Sequence, residues 1–222
     1  MNTTNIFCIV GKTGSGKSEY YRRLLFDHPF TKILDISPLV YGTTRNKRLN
    51  EIEGIDYYFH TKEQYDRIDK DDLVEFRSYY KSDEGVVYYF TKNIYFEKTG
   101  NIICAASPYQ YESYRTWCDK ENIKTPGKYK LYLIIIDASV YNRVTRLIKR
   151  HNNNEDAIYE ICRRILEEKS EFENVFSRIP ELIDPLSNPS VCFIDNNNDG
   201  EGAIEENIKR IKRFILAKCE SK

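Results

Sequence analysis

Asn5-Ile-Phe-Cys-Ile-Val10 runs straight into Gly11-Lys-Thr-Gly-Ser-Gly-Lys17-Ser18, and that junction decides the fold. An unbroken apolar run of this length reads as a strand buried on both faces. The eight residues after it match G-x-x-x-x-G-K-[ST] without a mismatch. Glycines at 11, 14 and 16 let main-chain N–H groups converge on phosphate oxygens. A helix predicted from about Lys17 to Phe26 would add its positive end. Lys17 is placed to reach β- and γ-phosphates, and the Ser18 hydroxyl to ligate Mg²⁺. Gly11, Lys12, Thr13, Gly14, Ser15, Gly16, Lys17 and Ser18 therefore form a candidate ATP-binding loop, in the strand–turn–helix context that such a loop needs.

Outward from the loop, short apolar runs alternate with amphipathic stretches. Strands are predicted at Lys32–Ile36, Asn101–Ala106, Lys130–Ile136 and Val191–Ile194. Helices are predicted at Tyr109–Asn122, Ser139–Arg150, Ala157–Val175 and Ala203–Ala217. Such alternation implies an α/β protein, with a five-stranded parallel sheet covered by helices on both faces. From Tyr41 to Thr91 the pattern changes to a small β-rich insertion. It contains an aromatic patch at Tyr57–Phe59, a helix opened by a Thr61/Gln64 capping box, and two strands around Ser82-Asp-Glu-Gly85. The Asn152–Asn154 and Asn196–Asn198 tracts read as exposed loops, and the proline-bearing stretch Phe176–Pro189 as an irregular excursion.

Composition narrows the options further. Across 222 residues, 34 Lys+Arg balance 34 Asp+Glu, which argues against electrostatic capture of nucleic acid or an anionic membrane. The longest apolar run, Leu131–Ile136, is far too short to span a bilayer. No basic segment leads into a long apolar one near the start, so no cleaved signal peptide is expected. The six cysteines form no C-x-x-C pair, and His28, His60 and His151 lack zinc-ligand spacing from them. The expectation is a reduced, cytoplasmic protein without a structural metal.

A second constellation lies in the insertion. Thr43-Thr-Arg45-Asn-Lys-Arg48-Leu-Asn-Glu51 leads to Gly54-Ile-Asp56-Tyr57-Tyr-Phe59. Two guanidiniums three residues apart can clamp one phosphate, with a tyrosine hydroxyl as a further donor. Here the chain resembles the guanylate kinase family, whose T-T-R-x-x-R-x-x-E-x-x-G-x-D-Y-x-F signature stands nearly whole. Leu73-Val-Glu75-Phe76 is similar to the family's acidic strand, and Tyr88-Tyr89-Phe90-Thr91 to its Y-Y-G-T/S turn. Arg146-Leu-Ile-Lys-Arg150 resembles the start of its lid, and Ile161-Cys-Arg163-Arg164-Ile165 the arginine-bearing helix after it.

That resemblance implies a P-loop kinase domain with its core at 1–40, 92–142 and 165–222. An NMP-binding subdomain would occupy 41–91 and a helical lid about 143–164. It implies transfer of the γ-phosphate of MgATP to GMP or dGMP, by a monomer or homodimer that binds small nucleotides. Arg45, Arg48, Tyr57 and Tyr89 would hold the acceptor phosphate, and Glu75 and Thr91 the guanine. Lys17, Arg45, Arg150 and either Arg163 or Arg164 (Arg164 preferred) would serve the transferring group. Alternatives are a kinase of another (deoxy)nucleoside monophosphate and a non-catalytic nucleotide-binding module.

Three departures thin the base half of the site. Ile102-Ile-Cys-Ala-Ala-Ser107 lacks the acids that close the family's third core strand. Pro38-Leu-Val-Tyr41-Gly42 displaces the usual serine, and Phe90 replaces the glycine of the turn. Asp35 and Asp137, each after an apolar run, are possible relocated carboxylates and stay outside the candidate site.

Overall fold

The computed structural model describes residues 3–81, 84–97, 100–151, 155–176, 186 and 188–220. Ser82 and Asp83 of the hairpin loop, the Asn152–Asn154 tract, and 177–185 and 187 of the proline-bearing excursion lie outside them. Strands β1 (Thr4–Val10), β2 (Ile36–Pro38), β7 (Asn101–Ala106), β8 (Tyr129–Asp137) and β9 (Val191–Asp195) build one sheet in the order β2-β7-β1-β8-β9. Every pairing in it is parallel. Helices α1 (Lys17–Phe26), α2 (His28–Ile33), α4 (Pro108–Lys124), α5 (Val140–Arg150), α6 (Glu155–Phe176) and α7 (Glu201–Glu220) accompany it.

The two-residue period of β1 divides the core. Ile6, Cys8 and Val10 face a layer containing Tyr111 and Tyr114 of α4 and Phe172 of α6. Phe7 and Ile9 face Tyr20 and Leu24 of α1 and Ile208, Ile211 and Ile215 of α7. All five β1 residues are fully buried, which is why the strand reads as continuous apolar sequence.

The second expected strand is corrected. Asp27 caps α2 by accepting from Phe30 N at 3.2 Å, and Pro29 stands in its first turn, so the chain stays helical through Ile33. Ile33 is 80% exposed and does not belong to a buried strand. Asp35 then turns the backbone at φ +47° and β2 begins at Ile36. Asp35 thus precedes its strand instead of closing it, and lies beside Asn101 at the start of β7. It stands at the opposite end of the sheet from the glycine-rich loop.

The insertion is a second sheet in the order β4-β3-β6-β5, from β3 (Tyr41–Thr43), β4 (Tyr57–Phe59), β5 (Leu73–Lys81) and β6 (Gly85–Lys92). Short α3 (Lys62–Asp66) opens with both bonds of the Thr61/Gln64 capping box. Phe90, found where a turn glycine was expected, is fully buried and in register with Gly42. A Cβ on Gly42 would collide with the Phe90 ring. The Phe90 ring covers the bare backbone of Gly42. Phe90→Ala should therefore lower unfolding free energy by about 3–5 kcal/mol, read by urea denaturation.

Candidate active site

The loop after β1 is held from outside through its carbonyls. Arg143 of α5 donates to Thr13 O at 3.2 Å, and Arg146 to Gly14 O at 3.4 Å. Asn196, just after β9, donates to Ser15 O at 2.7 Å, and its own Oδ1 accepts from Tyr20 OH at 2.7 Å. Arg146 also bonds Asn196 O at 2.6 Å and pairs with Asp199. Gly14 and Gly16 have φ of +79° and +98°, a backbone region that side chains rarely adopt. Carbonyls satisfied by these outside donors are what an anion cradle of main-chain amides requires. Lys17 opens α1, half-buried, and Ser18 beside it is exposed.

Two amides of the loop are already engaged: Ser15 N donates to Lys12 O at 3.0 Å, and Thr13 N to a side chain. Thr13 N donates to both carboxylate oxygens of Glu168 on α6, at 2.8 and 3.0 Å, and the Thr13 hydroxyl bonds the same group. Arg143, buried and pushed down in pKa by that burial, lies 3.7 Å from Glu168. Glu168 thus occupies part of a phosphate-binding surface with a carboxylate.

A cavity of about 400 Å³ opens between the two sheets, lined by Tyr41, Tyr57, Glu75, Arg77, Tyr79, Tyr89, Phe90, Ala105 and Gln110. Ala105 is in register with Ile9, two residues before Gly11, so the cavity neighbours the loop. At one end stand Tyr57 and Tyr89 with ring centroids 5.8 Å apart. Burial raises the pKa of the Tyr57 phenol, which keeps it a neutral donor. Arg45 is buried behind them. Its Nε donates to Tyr89 OH at 3.2 Å, one Nη to Asn46 O at 2.7 Å, and both Nη groups fork onto Glu51 at 2.7 and 3.0 Å. Four of its five N–H groups are thereby engaged. The Arg45 fork holds Glu51 below the usual carboxylate range. Glu51 also accepts from Arg48 N at 2.9 Å, while the Arg48 residue itself is exposed. Arg45 thus organises the clamp loop, and Arg48 extends from it.

At the other end Glu75 is almost wholly buried. Its Oε1 accepts from Thr91 Oγ1 at 2.8 Å and from Gln110 Nε2 at 3.1 Å. Thr91, with no exposed surface, also contacts Tyr114 OH at 2.9 Å. Its hydroxyl proton goes to Glu75 and not into the cavity. Burial raises the Glu75 pKa above its ordinary 4.5, against the opposing effects of Thr91, Arg77 and Gln110. Gln110 also completes the capping box of α4 with Ser107. The Tyr41 hydroxyl donates to Ala105 O at 2.9 Å.

The expected lid arginines lie on α5 and α6. Arg150 ends α5, exposed. Arg163 on α6 pairs with Glu167 at 2.5 Å, and Arg164 is the exposed residue beside it. Asp137, at the end of β8, lies next to the loop, since Asn196 N donates to its carbonyl at 2.8 Å. Sequence reasoning missed Arg143, Asn196, Glu168 and Gln110, because their partners are distant in the chain.

A glycine-rich anion loop on a parallel sheet, with a tyrosine-rich cavity holding Glu75 and Arg77 at an inserted sheet, defines a P-loop nucleotide-binding protein of the kinase type. The family model described as guanylate kinase matches residues 3–181, and the chain belongs to that family. A guanylate kinase from Mycoplasmoides gallisepticum is 30% identical over 154 residues, covering 69% of this chain and 72% of that protein. One from Clostridium perfringens is 25% identical over 219 residues, covering 96% and 84%. Among solved structures, guanylate kinase from Anaplasma phagocytophilum overlays with a TM-score of 0.51 at 18% identity, covering 99% of this chain and 88% of that one.

Because Glu168 competes for a loop amide that a polyphosphate would approach, Glu168→Gln should lower the KM for MgATP. The expected change is about fivefold, from roughly 1 kcal/mol of relieved charge repulsion at a partly exposed site.

Proposed function

We propose that the chain transfers the γ-phosphate of ATP to GMP or dGMP, releasing ADP and the nucleoside diphosphate. The observation that supports this reading is the cavity near the loop, lined by Tyr57 and Tyr89 and by a buried carboxylate, Glu75. Lys17 and the amides of Gly11 to Ser18 bind the donor phosphates. Arg48, Tyr57 and Tyr89 hold the acceptor phosphate, and the charge of Arg45 supports them from behind. Glu75 accepts from the guanine edge, with Thr91 and Gln110 fixing its rotamer.

Phosphoryl transfer asks little covalent work of side chains, so positioning and charge neutralisation dominate. In the lid expected over about 143–164, Arg143 and Arg146 stay on the loop carbonyls, and the part that closes is the stretch after them. Arg150 and Arg164 come from it to the transferring group, and closure excludes water that would otherwise hydrolyse ATP. Mg²⁺ fits this site as a partner of the nucleotide. Ser18 is exposed at the mouth, and no cluster of three His, Cys, Asp or Glu able to hold a metal occurs among the described residues. Phosphate oxygens and water would supply most of its ligands, and it would neutralise charge on the phosphates. No helix among the described residues is long and apolar enough to cross a membrane.

An ADP-release assay over GMP, dGMP, AMP, CMP and UMP tests the reading; turnover with none of them despite ATP binding would overturn it. Arg48→Ala should raise the acceptor KM about 10- to 100-fold, matching loss of a charge-assisted bond, with the ATP KM changed less than about twofold.

Glu75 gives a pH signature. Only the ionised carboxylate accepts from the base, and its pKa is raised by burial, so its protonated form persists to higher pH than for an ordinary glutamate. The acceptor KM should rise on acidification before ordinary carboxylates titrate, while the ATP KM stays level. Glu75→Gln should flatten that limb at a uniformly high KM.

A further inference from the structure

We propose that Arg77 is a specificity-determining residue that reads the 6-oxo group of the acceptor purine beside Glu75. The proposal rests on the acceptor reading of the cavity given above and deepens it. Glu75 and Arg77 are two residues apart on β5, so their side chains leave the same face of the strand, and both line the cavity. Glu75 is 5% exposed. Its Oε1 already takes Thr91 and Gln110, whereas its Oε2 is buried without a hydrogen-bond partner. The Nε of Arg77 is likewise buried without one. It lies 3.9 Å from Glu75 Oε2, too far for a hydrogen bond.

An unmet acceptor and an unmet donor therefore stand side by side in one wall of the cavity. Buried polar atoms left in that state are costly, and a ligand edge offering a donor next to an acceptor satisfies both. The 6-oxopurine edge does so, because N1–H donates and the adjacent O6 accepts. Adenine presents the reverse, a bare N1 beside a 6-amino donor, and would oppose both residues. The planar guanidinium fork suits a carbonyl oxygen. Other sources of such contacts are closed here. Ala105 and Ala106 end β7 without polar side chains, the Tyr41 hydroxyl is committed to Ala105 O, and the Thr91 proton to Glu75. Arg77 supplies the donor that these positions do not.

The test compares wild type, Arg77→Met and Arg77→Lys with ATP and three acceptors: GMP, IMP and 6-thioguanosine monophosphate. IMP keeps N1–H and O6 but lacks the 2-amino group; the thio analogue keeps N1–H and replaces O6 by a weak acceptor. Wild type should prefer GMP to the thio analogue. Arg77→Met should lose about 10- to 100-fold in kcat/KM with GMP and with IMP, mainly through KM, and less than about threefold with the thio analogue. Arg77→Lys should retain part of the preference. Equal losses on all three acceptors, or a GMP loss that vanishes at alkaline pH, would overturn the proposal, since Arg77 would then act on the phosphate or only through Glu75 ionisation. Unchanged kinetics in both variants would overturn it while leaving the kinase reading standing. A wild-type protein that phosphorylates none of the three would remove the kinase reading itself.

Discussion

Everything at this site depends on the polarity of one short backbone segment. A loop of eight residues can cradle an anion only when its carbonyl oxygens point elsewhere and are satisfied there. Here three side chains meet that requirement: Arg143 and Arg146 from α5 and Asn196 from the end of β9 take the oxygens of Thr13, Gly14 and Ser15. Those donors come from beyond β8 and after β9, so the loop's shape depends on segments far along the chain. Glu168, on Thr13 N, shows the same surface binding a carboxylate supplied by the chain itself.

The acceptor side follows a related logic with side chains in place of amides. Arg45 is oriented by Glu51 and Tyr89, and Glu75 by Thr91 and Gln110, so each charged group is fixed by neighbours before any ligand arrives. Fixed, desolvated groups stabilise developing charge without reorganising during the reaction. Gly42 makes room for Phe90, and the Tyr41 hydroxyl is tied to the acid-free end of β7.

Much of this was legible in the sequence, for local reasons. The loop, its strand and its helix are contiguous, and the Arg45–Phe59 stretch carries its own pattern. Buried strands announce themselves as apolar runs, so β1, β7, β8 and β9 were found nearly to the residue. The strand expected at Lys32–Ile36 failed because Ile33 and Leu34 are apolar, whereas Asp27 and Pro29 signal a helix start just upstream. The engagement of Arg45 by Glu51, the enclosure of Thr91 and the reach of Glu168 to Thr13 were not legible. Each is set by side-chain direction or by packing between segments as far as 155 residues apart.

The bond from Tyr41 to Ala105 crosses from the inserted sheet to the main one, and Glu75 with Gln110 and Thr91 with Tyr114 cross the same boundary nearby. Such buried ties make a swing of the inserted sheet expensive, at about 1–3 kcal/mol for each polar group left unmet. The acceptor pocket is therefore braced against the main sheet. A pocket braced in this way is ready-shaped, so little ordering entropy is lost when a ligand arrives.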